Sequence, residues 1–237
     1  MLMVFLSANA RAGYKSEIYA AYVNNNMANW KNIIDKMHLV KPKSTDYVLE
    51  LVNYQYGYIA WCVGNHKNDE AKKYLAQAEN YLSILEKNPK NLSLVNAYKS
   101  AFYGYKIGLN KLMAATFGRR SVDCANLAIK QDEENPYGYI QLGNIQFYMP
   151  PIFGGSKKEA LGYYLKAMKI MEKDAANISE NWNYLNLLTS IAQSYYYLGD
   201  YVTSKYYLDK MLKIEPGFKY VNNELYPQVI NKMKNNP

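Results

Sequence analysis

Cysteine and histidine are scarce in these 237 residues, with two of each. That excludes a disulfide scaffold and a zinc site of four cysteines, and it leaves little for histidine-based metal chemistry. Tryptophan and phenylalanine are also few, at three and six. No run approaches the roughly 20 apolar residues of a membrane span. No glycine-rich phosphate loop of P-loop or dinucleotide spacing occurs. Charged residues make up only 20%, yet hydrophobic residues make up 49%, so the chain is globular rather than disordered.

Tyrosine is abundant instead, with 26 copies. A tyrosine ring buries like a hydrophobe while its hydroxyl seeks water or a partner. That suits thin layers of stacked helices and binding surfaces alike.

The chain punctuates itself with proline. Pro42, Pro89 and Pro136 recur at intervals of 47, and two of them close similar phrases, Glu86-Lys87-Asn88-Pro89 and Glu133-Glu134-Asn135-Pro136. Proline suits a first helical turn and not a helix interior, so each marks a joint between units. Between joints the apolar period is helical. Tyr184, Leu187, Leu188, Ile191, Ala192 and Tyr195 form one face. Gly199-Asp200 breaks it, and Tyr201, Ser204, Leu208, Met211 and Leu212 form a second face that ends at Pro216. Such a helix pair cannot bury its stripe alone and must stack on neighbours.

These units resemble tetratricopeptide repeats. The matching residues are Tyr139, Leu142-Gly143, Ala160, Tyr164 and Ala167 in one unit and Tyr103-Gly104, Ser121, Ala125 and Ala128 in another. A third has Tyr56-Gly57, Ala71, Leu75 and Ala78, and a fourth Ile191-Ala192, Tyr195, Ser204, Leu208 and Met211. A degenerate pair is expected at residues 14–38. The spacing departs from the family's 34 residues: Gly57 to Gly104 is 47, and Gly104 to Gly143 is 39. Two units share a longer internal turn, marked by Phe117-Gly118 and Phe153-Gly154. The second reads Met149-Pro150-Pro151-Ile152-Phe153-Gly154-Gly155-Ser156, with Ser156 placed to cap a helix ahead of Glu159 and Ile152 and Phe153 expected to tuck into the stack. This phrase resembles exported tetratricopeptide-like proteins of Gram-negative bacteria and, more loosely, the periplasmic T-component of TRAP transporters.

The resemblance implies an all-α right-handed superhelix, an α-solenoid of about five antiparallel helix pairs over residues 13–216. Residues 217–237 would cap it, with a last helix from Gln228 to Lys234. Residues 1–12 resemble the end of a secretory signal: apolar Met1–Leu6, then small residues at A-x-A spacing. An exported, periplasmic location follows. On a concave face, the binding candidates are Tyr54, Tyr58 and Trp61, then Tyr137, Gln141, Asn144 and Tyr148, then Asn186, Gln193 and Tyr196. Tyrosine with asparagine and glutamine gives rigid contacts and adaptable hydrogen bonds. The expected role is a non-catalytic scaffold for a protein or peptide partner, with no cofactor, metal or nucleic acid. The alternative is a small-solute-binding accessory of a periplasmic transporter, which needs an enclosed tyrosine-lined pore. Cys62 and Cys124 read as buried small hydrophobes. The net charge of +8 comes from scattered lysines, with Arg119-Arg120 the only arginine pair.

Overall fold

The computed structural model describes residues 3–235, with side chains from Gly13 onward. The expected leader at residues 1–12 therefore lies largely outside the described residues. The described chain is all-α. Its helices are α1 (Met3–Val23), α2 (Met27–Leu39), α3 (Thr45–Gly64), α4 (Asn68–Leu85), α5 (Leu92–Leu109), α6 (Ala114–Gln131), α7 (Pro136–Tyr148), α8 (Lys157–Met171), α9 (Trp182–Tyr197), α10 (Tyr201–Ile214) and α11 (Tyr226–Asn235). No strand occurs among the described residues.

The prolines sit at joints. Pro136 is the first residue of α7, and Pro89 opens a short 3-10 turn before α5. Asn88 caps that turn by accepting from the Lys90 amide, and Asn135 accepts from the Tyr137 amide. Gly199, at φ 84°, takes the left-handed conformation that stops α9. Ser156 caps α8 by accepting from the Glu159 amide at 3.2 Å.

The chain forms two compact units, residues 30–145 and residues 1–29 with 146–237. In the first, α3 packs on α4 and α5 on α6. Small residues draw α5 and α6 together. The Ser121 hydroxyl donates to the Ser100 carbonyl at 2.8 Å, and Ser93 donates to the Ala128 carbonyl at 2.8 Å. Ala97, Ala125 and Ala128 fill the seam between them. Gly138 is required by close approach, because a Cβ there would lie 2.7 Å from Ile129 Cγ1. Gly104, which the repeat pattern places at a helix contact, faces open space instead.

In the second unit α9 is the central element, packed against α8, α10 and α1. Trp182, Leu187, Leu188 and Ile191 are buried on it. Ser204 donates to the Ala192 carbonyl at 2.8 Å, fixing α10. Tyr22 of α1 contacts the rings of Trp182 and Phe218, at 5.9 and 5.2 Å between centroids. The last helix begins earlier than expected, at Tyr226, behind a π-helical turn at Val221–Leu225. Val221, Leu225 and Val229 anchor it.

Candidate functional site

Within residues 30–145, tyrosines and amides form an internal layer. Tyr98 is 1% exposed, and its hydroxyl accepts from Asn53 Nδ2 at 2.8 Å. The same Asn53 nitrogen lies 3.4 Å from the Tyr137 hydroxyl. Gln141 donates to the Tyr56 hydroxyl at 3.4 Å and accepts from Asn144 at 3.2 Å. Tyr105 donates to the Tyr56 carbonyl. The rings of Tyr56, Tyr98, Phe102, Tyr105 and Tyr137 lie 5.7–6.3 Å from their neighbours. Burial pushes the phenols of Tyr56, Tyr98 and Tyr137 upward, so all three stay neutral.

This layer corrects part of the expected concave wall. Tyr54, Tyr58 and Gln141 are 4%, 2% and 2% exposed and belong to the packed interior. Tyr54 donates to Glu50, and its carbonyl receives the Trp30 indole N–H at 2.9 Å. Tyr58 packs edge-on against Tyr74 at 5.1 Å. Tyr137 and Asn144 are half-buried members of the layer, and Trp61 is half-buried beneath the Lys67 ammonium. The physical reason is simple. A buried tyrosine needs a partner for its hydroxyl, and an inward amide supplies one. Tyrosine with asparagine and glutamine at helical spacing reads the same way for a wet wall and for a satisfied interior.

The second unit holds a different arrangement, an exposed aromatic edge. Phe147 is its buried floor, with ring contacts to Tyr148 at 5.0 Å, Tyr164 at 6.5 Å and Tyr197 at 5.7 Å. Tyr196 adds contacts to Tyr197 and Tyr201, each at 5.5 Å. The Lys157 ammonium lies 3.7 Å over the Phe147 ring and 5.4 Å over Tyr197, and it donates to the Phe147 carbonyl. Desolvation pulls the Lys157 ammonium below its ordinary value.

The turn between α7 and α8 carries the rest of the edge. Ile152 and Phe153 are 84% and 72% exposed, and Tyr148, Tyr197 and Leu198 are exposed as well. They do not tuck into the stack as expected. The turn is closed on itself by Phe153 N–H to the Pro150 carbonyl, Gly154 N–H to the Pro151 carbonyl and Ser156 N–H to the Gln146 carbonyl, at 2.9–3.0 Å. Gly154 takes φ 93°. A Cβ on Gly155 would collide with the Met149 carbonyl oxygen. The backbone thus fixes the tip, and no apolar wall reaches its two side chains.

Of the expected residues in this unit, Tyr148 and Tyr196 fall on the edge. Gln193 and Asn186 serve structure: Gln193 donates to the Tyr220 hydroxyl at 3.3 Å, and Asn186 accepts from Tyr22 at 3.2 Å. Tyr197, next to Tyr196 at the same helix end, is exposed as a wall residue would be, whereas Phe147 and Lys157 were not expected. Their signal was the proximity of Lys157-Lys158 to an aromatic helix end, which looks like scattered charge in sequence. A recess of about 30 Å³ beside Gln193, Tyr196 and Tyr197 has room for little more than water. An open concavity of about 480 Å³ lies at the α1–α2 turn, lined by Asn24, Asn25, Asn26, Asn29 and Lys219.

Among the described residues no cluster of His, Cys, Asp or Glu could hold a metal. Cys62 and Cys124 are free thiols, and burial pushes both upward, Cys62 to about 11. Neither offers a thiolate at neutral pH. His38 pairs with the Tyr81 hydroxyl at 2.9 Å. No described helix is long and apolar enough to cross a membrane.

No family model matches the chain, and no curated protein does. Solved structures that match the chain include these two. One is the HusA haemophore from Porphyromonas gingivalis, with a TM-score of 0.60 and 19% identity over 77% of this chain and 92% of that one. The other is BtubC from P. vanneervenii, with a TM-score of 0.39 and 16% identity over 82% and 74%. The first likeness is one of fold, and the second is too distant to carry an argument.

Proposed function

We propose that this chain is an exported, non-catalytic binding protein built from tetratricopeptide-like helix pairs. Its partner is a protein or peptide taken on the aromatic edge of the second unit. The observation that carries the reading is the pair Ile152 and Phe153, held in solvent by a turn that its own backbone closes. Large apolar side chains on a fixed turn, following directly on the exposed Tyr148 at the end of α7, have the composition of an interface anchor. The tyrosines supply rigid area at low entropic cost.

A second reading has one supporting observation. The likeness to a haemophore makes a flat, apolar, anionic ligand worth testing, with Tyr148 and Tyr197 as its walls and Lys157 as its counter-charge. The transporter-accessory reading has less support, because the tyrosine layer of residues 30–145 is filled by its own side chains.

Affinity capture from an envelope extract tests the proposal, using the full chain and an Ile152→Ser/Phe153→Ser variant. A protein retained by the parent and lost with the variant is the expected result. Equal retention by both removes the edge from the site. Haemin titration of the same two proteins tests the second reading, and a spectrum unchanged by the chain rejects it.

A further inference from the structure

The α5–α6 hairpin ends in a tip whose chemistry differs from that of the aromatic edge. Residues 87–122 contain seven Lys and Arg and no Asp or Glu. Two of these cations are neutralised by neighbours, Lys99 by Glu86 and Lys106 by Glu79 at 2.6 Å. Lys111 and Arg120 have no carboxylate partner among the described residues, and the Arg119 side chain is 91% exposed although Asp123 lies 3.7 Å away. Between these cations stand Leu112, 83% exposed, and Met113, 36% exposed, followed by exposed Ala114 and Ala115.

The tip is held in this form. Asn110 accepts from the Leu112 amide at 3.1 Å through its side chain and from the Met113 amide at 3.0 Å through its carbonyl. Phe117 stacks on Tyr103 at 5.2 Å, with Arg120 and Lys106 over its ring at 5.9 and 5.2 Å. The serine seam between α5 and α6 makes the stalk rigid.

We propose that this tip docks on an anionic lipid bilayer. Leu112 and Met113 enter the headgroup–acyl boundary while Lys111, Arg119 and Arg120 meet the lipid charge. Exposed apolar residues interleaved with cations are the composition of an interfacial anchor. What separates this turn from the aromatic edge is charge: its exposed apolar residues lie in a stretch with seven cations and no carboxylate, which complements an anionic surface. A deformable bilayer accepts such a protrusion without a complementary pocket.

Flotation of the full chain with vesicles tests the proposal. The parent is expected to bind phosphatidylcholine vesicles containing phosphatidylglycerol, to ignore pure phosphatidylcholine, and to be released by salt. Lys111→Gln/Arg120→Gln should weaken binding about thirtyfold, at the usual contribution per cation near an anionic surface. Leu112→Ser should weaken it about tenfold through the lost apolar insertion. Lys87→Gln/Lys90→Gln removes the same charge from the far end of α5, roughly 27 Å away, and should change binding by less than about twofold. All these positions are exposed, and unchanged helical circular dichroism confirms folding. Four outcomes overturn the proposal. They are no vesicle binding, equal loss from the two charge pairs, no effect of Leu112→Ser, and a Leu112-dependent affinity for poly-glutamate matching that for vesicles.

Discussion

Replacing Gly155 by alanine tests whether the turn after α7 is as tightly closed as its geometry says. A Cβ there meets the Met149 carbonyl oxygen, which is backbone and cannot swing aside like a side-chain tip. The turn must open to admit it. Opening breaks Gly155 N–H to the Pro150 carbonyl at 3.2 Å and Ser156 N–H to the Gln146 carbonyl at 3.0 Å. It also disturbs the Ser156 cap on α8. At about 1 kcal/mol for each hydrogen bond and about 1 for the cap, Gly155→Ala should cost about 2–3 kcal/mol. Gly154→Ala has open space but a φ of 93°, so it should cost less, about 1–2 kcal/mol. Gly162→Ala, on the open face of α8, should stabilise by about 0.5–1 kcal/mol. Urea unfolding followed by circular dichroism measures all three, and faster hydrogen exchange of the Ser156 amide in Gly155→Ala localises the effect. A Gly155→Ala protein as stable as the parent, or less affected than Gly154→Ala, refutes the reasoning.

Other perturbations follow from the same contacts. Tyr98→Phe removes the acceptor that Asn53 holds at 2.8 Å and should cost about 1–2 kcal/mol by urea unfolding. Gly104→Ala, on a helix face that meets open space, should raise stability by about 0.5–1 kcal/mol by the same assay. Ten tyrosines are held above the ordinary phenol value near 10, chiefly by burial, and Tyr19 reaches about 12 with Glu215 adding to burial. The folded chain keeps these protons after the unfolded chain has shed them. Stability should therefore be insensitive to these groups below pH ~10 and fall as pH rises beyond it, with tyrosinate absorbance appearing together with loss of helix. Tyrosinate absorbance rising fully before any helix is lost would contradict this.

The helices were legible because their signals are local. Proline at the joints, glycine after α9 and serine before α8 each act within one turn of chain. The 3.6-residue apolar period names the buried faces without tertiary knowledge. The site was less legible because it depends on which side of a helix finds a neighbour. Gln141 and Tyr148 share α7 and both look like wall residues. The structure buries one against Tyr56 and leaves the other 75% exposed. Ile152 and Phe153 are apolar, and burial is the natural expectation for such residues. Their exposure follows from backbone closure at Gly154 and Gly155, which in sequence reads as a sharp reversal without saying which way the tip's side chains face.

Tyrosine was legible as a count but not as a role, and beside the amide-bonded layer of Tyr56, Tyr98 and Tyr137 the contacts show two further chemistries. One group donates to carboxylates: Tyr74 to Asp35 at 2.6 Å, Tyr184 to Glu172 at 2.5 Å, Tyr226 to Asp209 at 3.0 Å and Tyr54 to Glu50 at 2.5 Å. In each pair the ring covers apolar surface while the hydroxyl meets an ionised acceptor, a bond stronger than one between neutral groups. Phenylalanine at these four positions would give the same burial and leave the carboxylate short of a donor. The other group, Tyr148 and Tyr197, spends its ring in solvent. Each ring touches Phe147, yet most of its area stays unburied in the chain alone. That division separates tyrosines whose hydroxyls meet partners inside the fold from those whose rings stay largely in solvent.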